Sequence, residues 1–153
     1  MGVAGFHHTS FTVSDMERSL AFYRDLLELR VVVDRVADAP YLGQVTGFPD
    51  VQLRVVYLQP NPPDGHSLEL IEYRTHRGQP QHLRTNDVGT AHLCFRVADL
   101  AATYEKLRAH GTTFVSAPVP ITAGANAGGS AVYLRDPDGC PLELIQPPPP
   151  AAT

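Results

Sequence analysis

The chain lacks most of what would place it quickly. It has no tryptophan and only two cysteines, Cys94 and Cys140. Two thiols, one in an expected strand and one in an expected turn, exclude a disulfide-stapled framework and point to a reducing, cytoplasmic setting. Positive charge is in the minority, with 12 Lys and Arg against 16 Asp and Glu, and it is scattered along the chain. Nucleic acid therefore has no basic footprint to bind. No apolar run approaches the roughly 20 residues that span a bilayer. The first residues show neither the charged segment nor the apolar core of a secretory leader. The expectation is a soluble, unprocessed protein with neither nucleic acid nor a membrane as partner. Its 153 residues suffice for one domain with a proper core.

What the chain does have is a pattern stated twice. His8 is followed by Phe11, Val13 and Asp15 and then a helical run, and His92 is followed at the same spacings by Phe95, Val97 and Asp99 and another. Each copy closes on a short apolar strand with one carboxylate in it, Ser67-Leu68-Glu69-Leu70-Ile71 in the first and Pro141-Leu142-Glu143-Leu144-Ile145 in the second.

In the first copy, residues 6–13 read as a strand. Ser14 with Glu17 reads as a capping box opening a helix over 15–27, with Leu20, Tyr23 and Leu27 as its core stripe. Further strands are predicted at 29–36, 51–59 and 68–73. The second copy predicts strands at 91–97, 113–116, 131–134 and 142–145 and a helix over 99–110 ended by Gly111. Each half thus reads βαβββ. Module one covers 5–74, a polar linker 75–89 and module two 90–146, with a mobile proline-rich tail at 147–153. Residues 41–48 have no clear period and are expected to edge a pocket.

Side chains alternate across a strand, so parity sorts them. His8, Ser10 and Thr12 share one face, and Phe11 and Val13 the other. Glu69 and Tyr73 oppose Leu68 and Leu70; His92, Cys94 and Arg96 oppose Leu93 and Phe95; Glu143 opposes Leu142 and Leu144. The apolar sets belong under the helices, which leaves two imidazoles and two carboxylates on the other side of the sheet. If the sheet curves, all four meet in a hollow. Buried carboxylates without partners cost several kcal/mol each, and a divalent cation removes that cost. Two neutral imidazoles and two carboxylates match a 2+ charge and suit Zn, Ni, Co, Mn or Fe(II). The expected metal ligands are His8, Glu69, His92 and Glu143. By the same parity Ser10, Thr12, Tyr73 and Cys94 line the pocket, and Arg96 reaches in to hold an anionic group or else lies at the strand end in water. Cys94 is expected to be a small buried packing residue, His7 to point to the opposite face from His8, and His66 to be an ordinary solvated residue.

At these residues the chain resembles the vicinal oxygen chelate superfamily, the glyoxalase, bleomycin resistance protein and dioxygenase group, over nearly its whole length. The carriers are His8-Thr9-Ser10-Phe11-Thr12-Val13-Ser14-Asp15 with Phe22-Tyr23, and Asp136-Pro137-Asp138-Gly139-Cys140-Pro141-Leu142-Glu143-Leu144. The resemblance implies a single α+β domain in which two βαβββ modules form an open, eight-stranded, barrel-like mixed sheet around one divalent metal. It places His8, Glu69, His92 and Glu143 on the four ligand positions of bacterial glyoxalase and its isomerase relatives. It implies a metal-dependent lyase, isomerase or epimerase that chelates neighbouring oxygens of a small carbonyl substrate and moves a proton through an enediolate or enolate. Glu143 is the first choice for the base and Glu69 for the acid or base on the opposite face.

Thr12 stands where those relatives carry a glutathione-gripping arginine, and Tyr73 where an asparagine is expected, which argues against glutathione as the handle. The alternatives are a non-catalytic, bleomycin-resistance-like binding protein and, second, an extradiol-type dioxygenase. Members of the first kind usually lack the full ligand set; those of the second use three of the positions in a longer chain. An incomplete barrel leaves edges and apolar surface, so a homodimer is expected, with modules paired within one chain or across two.

Overall fold

The computed structural model describes residues 2–150; the last part of the expected mobile tail, 151–153, lies outside the described residues. The chain divides into two units, Met1–Pro80 and Gln81–Thr153. Together they hold two four-stranded mixed sheets and few helices, the expected α+β class.

In the first unit, β1 (His8–Thr12) leads into α1 (Met16–Leu20), followed by β2 (Arg30–Ala37), α2 (Tyr41–Thr46), β3 (Leu53–Gln59) and β4 (Ser67–Tyr73). The sheet order is β1-β4-β3-β2, with β1 parallel to β4 and the other pairs antiparallel. Helix α1 starts one residue later than the capping box predicts. Asp15, not Ser14, is the N-cap, and its carboxylate accepts from the Arg18 amide at 3.1 Å. Ser14 Oγ instead accepts from the Arg18 guanidinium at 2.8 Å.

From Ala21 to Leu26 the helix widens to a π-turn, marked by the Leu27 amide donating to the Phe22 carbonyl at 2.9 Å. The extra residue in that turn lets the consecutive Phe22 and Tyr23 both enter the core, edge to face at 5.0 Å. Leu27, expected in the core stripe, is only half-buried as a result. The patternless 41–48 stretch contains a short helix, α2, closed by Gly47 at φ +78°. It borders a cavity of about 360 Å³ lined by Asp38, Pro40, Gly43, Gln44 and Asp50, and by none of the expected ligands.

Register fixes which face each residue takes. Arg54, Val56 and Leu58 of β3 share a face with Leu68, Leu70 and Glu72 of β4. Arg54 identifies this as the α1 side: it forks onto Asp34 at 3.0 and 2.8 Å and reaches Glu17 of α1 at 2.6 Å. Val56, Leu58, Leu68 and Leu70 are buried here. The opposite face carries His8, Ser10 and Thr12 of β1, Glu69, Ile71 and Tyr73 of β4, and Leu53, Val55 and Tyr57 of β3.

The second unit runs β5 (Leu93–Arg96), α3 (Leu100–Ala109), β6 (Val119–Pro120), β7 (Ser130–Arg135) and β8 (Pro141–Gln146), in the order β5-β8-β7-β6. Asp99 caps α3 by accepting from Ala102 N at 2.9 Å, and Gly111 at φ +81° ends it as expected. The expected strand at 113–116 is a correction. It makes a single bridge, Phe114 to Leu134, and the edge strand forms instead at Val119–Pro120. Pro118 and Pro120 have no amide to donate, so a continuous ladder cannot form through this stretch. The tight turn at Asp138-Gly139 is present, with Gly139 at φ +87° and Asp136 Oδ1 accepting from the amides of Asp138 and Cys140 at 2.9 and 2.7 Å.

Candidate metal and active site

Each unit brings one expected imidazole onto one expected carboxylate. In the first, β1 and β4 run in parallel with Ser10 beside Glu69, and His8 Nε2 lies 3.3 Å from Glu69 Oε2. In the second, β5 and β8 pair Cys94 with Glu143, and His92 Nε2 lies 3.1 Å from Glu143 Oε2. Among the described residues, no group of three or more His, Cys, Asp or Glu side chains gathers at one point, so the site consists of two pairs, each complete within its unit.

The donor set fits a divalent ion. Ligands at about 2.1 Å from a metal stand about 3.0 Å apart at right angles and about 3.4 Å apart at a tetrahedral angle, which brackets both pairs. The carboxylates differ in access: the Glu69 side chain is 10% exposed and that of Glu143 is 19%.

Sequence reasoning missed the groups that complete each pair. Tyr57, the β3 register partner of Glu69, stands beside that carboxylate and sets its ring edge-on to His8 at 5.7 Å. Burial, with Glu69 beside it, pushes the Tyr57 hydroxyl up to about 12. Tyr133, the β7 register partner of Glu143, does the same in the second unit. Its ring is edge-on to His92 at 5.1 Å, and its hydroxyl, raised by burial and by the charge of Glu143, lies 3.4 Å from His92 Nε2. The signal was in the chain: both strands read Val-Tyr-Leu, at 56–58 and 132–134.

The remaining expected residues are more spread. Ser10 and Thr12 lie exposed on the Glu69 face, while Tyr73 is half-buried against the Val51, Leu53 and Val55 cluster and meets Phe48 at 5.9 Å. Arg96 is exposed at the end of β5, on the Glu143 face. It is not the lone cation of its kind: Arg35, paired with Val55, shares the Glu69 face and acts on Tyr57.

Cys94 is exposed rather than buried, but loss of hydration at the sulfur and the adjacent Glu143 push its thiol up to about 11, so it is no activated nucleophile. Two other histidines also depart from expectation. His7, placed on the opposite face by parity, turns to share a hydrogen bond with His8 Nδ1 at 2.8 Å; it precedes β1, so strand alternation does not bind it. His66, read as solvated, is half-buried on Thr9 Oγ1 at 2.9 Å.

The chain is 34% identical over 152 residues to a 2-epi-5-epi-valiolone epimerase from an Actinomyces species, covering 96% of this chain and 81% of that one. It is 32% identical over 143 residues to lactoylglutathione lyase of Haemophilus influenzae, covering 91% and 90%. In fold it is similar to the crystal structure of a glyoxalase family protein from Bacillus cereus, with a TM-score of 0.83, 16% identity and 97% of both chains covered. The sequence model of the Glyoxalase/Bleomycin resistance protein/Dioxygenase superfamily matches residues 5–144, and the chain belongs to that superfamily.

Proposed function

We propose that this protein is a metal-dependent enzyme of the epimerase type, acting on a small carbonyl substrate with neighbouring oxygens, such as a 2-hydroxyketone. The observation that carries the reading is the twofold recurrence of an imidazole nitrogen 3.1–3.3 Å from a carboxylate oxygen. His8, Glu69, His92 and Glu143 would together hold one divalent ion, within one chain or across two copies. When bound, such an ion would supply Lewis acidity, polarising the carbonyl and offsetting the negative charge left by loss of the adjacent proton.

The side chains do the rest. Glu143, the more accessible carboxylate, takes the proton from the carbon next to the carbonyl. Glu69 returns a proton on the opposite face, which inverts the carbon. Ser10, Thr12 and Cys94 present small polar groups beside the carboxylates, Tyr73 stands further along the same face as Glu69, and Arg96 offers charge to an anionic substituent.

The choice of epimerase over glutathione-dependent lyase is supported by the name of the Actinomyces relative and by the residues at two positions. Thr12 and Tyr73 provide neither a cation nor an amide for a glutathione carboxylate. The test is incubation of metal-loaded protein with a chiral 2-hydroxyketone in D2O. Deuterium entering the carbon beside the carbonyl, with inversion and without glutathione, is the expected outcome. Turnover only with glutathione would replace this reading by the lyase, and no exchange with any 2-hydroxyketone, keto acid or malonyl-type thioester would remove it.

A further inference from the structure

The contact between each imidazole and carboxylate does not stand alone, because a tyrosine from the adjoining antiparallel strand closes it. Tyr57 and Tyr133 occupy the same register position against Glu69 and Glu143. Their rings meet His8 and His92 nearly perpendicular, at 86° and 78°. The charge of each carboxylate bears on the tyrosine hydroxyl opposite it, and the Tyr133 hydroxyl lies 3.4 Å from His92 Nε2. One such tyrosine would be ordinary amphipathic packing. The same residue at the same register position, with the same edge-on ring contact, in two units whose helices and edge strands differ indicates a requirement set by the pair itself.

We propose that Tyr57 and Tyr133 are positioning residues, each fixing the rotamer of its glutamate so that the carboxylate faces the neighbouring imidazole. The inference rests on the reading of the two pairs as metal ligands. A glutamate has three rotatable bonds and loses their freedom when it ligates. A carboxylate already flanked by a tyrosine on the adjoining strand and by an imidazole has lost that freedom in advance. Groups that orient ligands in this way typically change metal affinity by 10- to 100-fold when removed. The aromatic ring blocks the carboxylate from swinging away across the histidine, and the hydroxyl sets its angle.

The test uses the full chain with Tyr57→Phe and Tyr133→Phe, which delete one oxygen and keep each ring. In metal-free protein, three-bond NMR couplings of the Glu69 and Glu143 side chains are expected to show one rotamer in the parent. Averaging is expected at Glu69 alone in the first variant and at Glu143 alone in the second, with the melting temperature unchanged. Affinity for Co2+, followed by its visible spectrum, is expected to fall by about tenfold in either variant. Proton exchange should lose in kcat with KM little moved. Unchanged rotamers in both variants would overturn the inference whether or not metal binds. A parent that takes up no Co2+ but shows the expected rotamer release would instead retain the positioning role and remove the metal-dependent reading.

Discussion

The two units build one arrangement from different parts. The first has an eight-residue β2, the additional helix α2 and a π-turn after α1; the second has a two-residue β6, a ten-residue α3 and, among the described residues, no counterpart to α2. In the first, the sheet is tied to its helix by charge, through Arg54 between Asp34 and Glu17. In the second a neutral contact does so, Gln146 Oε1 accepting from the Leu100 amide at 2.8 Å. Yet histidine, glutamate and tyrosine recur with the same faces and contacts. The three strands common to both, one parallel pair and one antiparallel pair centred on the glutamate strand, are therefore enough to set the arrangement. Edge strands and helices can vary around them.

Where the units differ at the site itself, the account makes its sharpest predictions. Glu143 is more exposed than Glu69, and this is the basis for assigning it proton removal. Glu143→Gln is expected to lower deuterium exchange at the substrate carbon by about 10³-fold or more, within the range of lost acid–base catalysis, with the fold intact by circular dichroism. Glu69→Gln is expected to retain exchange on one face while losing inversion. Equal retention of exchange in both variants would break the assignment.

The tie through Arg54 belongs to the first unit alone. Its removal by Arg54→Ala is expected to cost about 1–2 kcal/mol of stability, read by thermal melting. The hydrogen bonds from Arg54 hold the Asp34 carboxyl below its ordinary 3.8. A depressed folded value contributes stability above 3.8 that is lost as pH falls through the lower, folded value. The gap between parent and variant should therefore be open at neutral pH and narrow as pH falls below 3.8. A gap that persists there would mean that Arg54 acts by packing rather than by charge. The smallest effect is expected from His7→Ala, which removes the hydrogen bond on His8 Nδ1 and should weaken metal binding by a fewfold at most, since that ring stands exposed. A competitive chelator titration would show it.

Much of this was legible in the chain because a strand's period of two is local. The parity of His8, Glu69 and Glu143 followed from alternation, His92 stands one residue before β5, and the repeat singled out the four together. The tyrosines escaped because their role depends on register between strands distant in sequence, which no local pattern states. Tyr57 faces Glu69 only because Leu58 pairs with Leu68 and Leu53 with Tyr73. Helix α2 escaped for another reason: none of its residues is buried, so it has no apolar period to read. The strand expected at 113–116 was misplaced because β-propensity there competes with the downstream prolines, and the ladder forms only where β7 offers partners.

The central proposal is that His8, Glu69, His92 and Glu143 are metal ligands. The most direct measurement is elemental analysis of dialysed protein for metal per chain, in the parent and in His8→Ala and His92→Ala. About one equivalent in the parent, lost in either variant, is the result the account predicts. Two equivalents with each variant losing one would show that the pairs bind separately, and no metal after exposure to Zn, Ni, Co, Mn and Fe(II) would contradict the account outright.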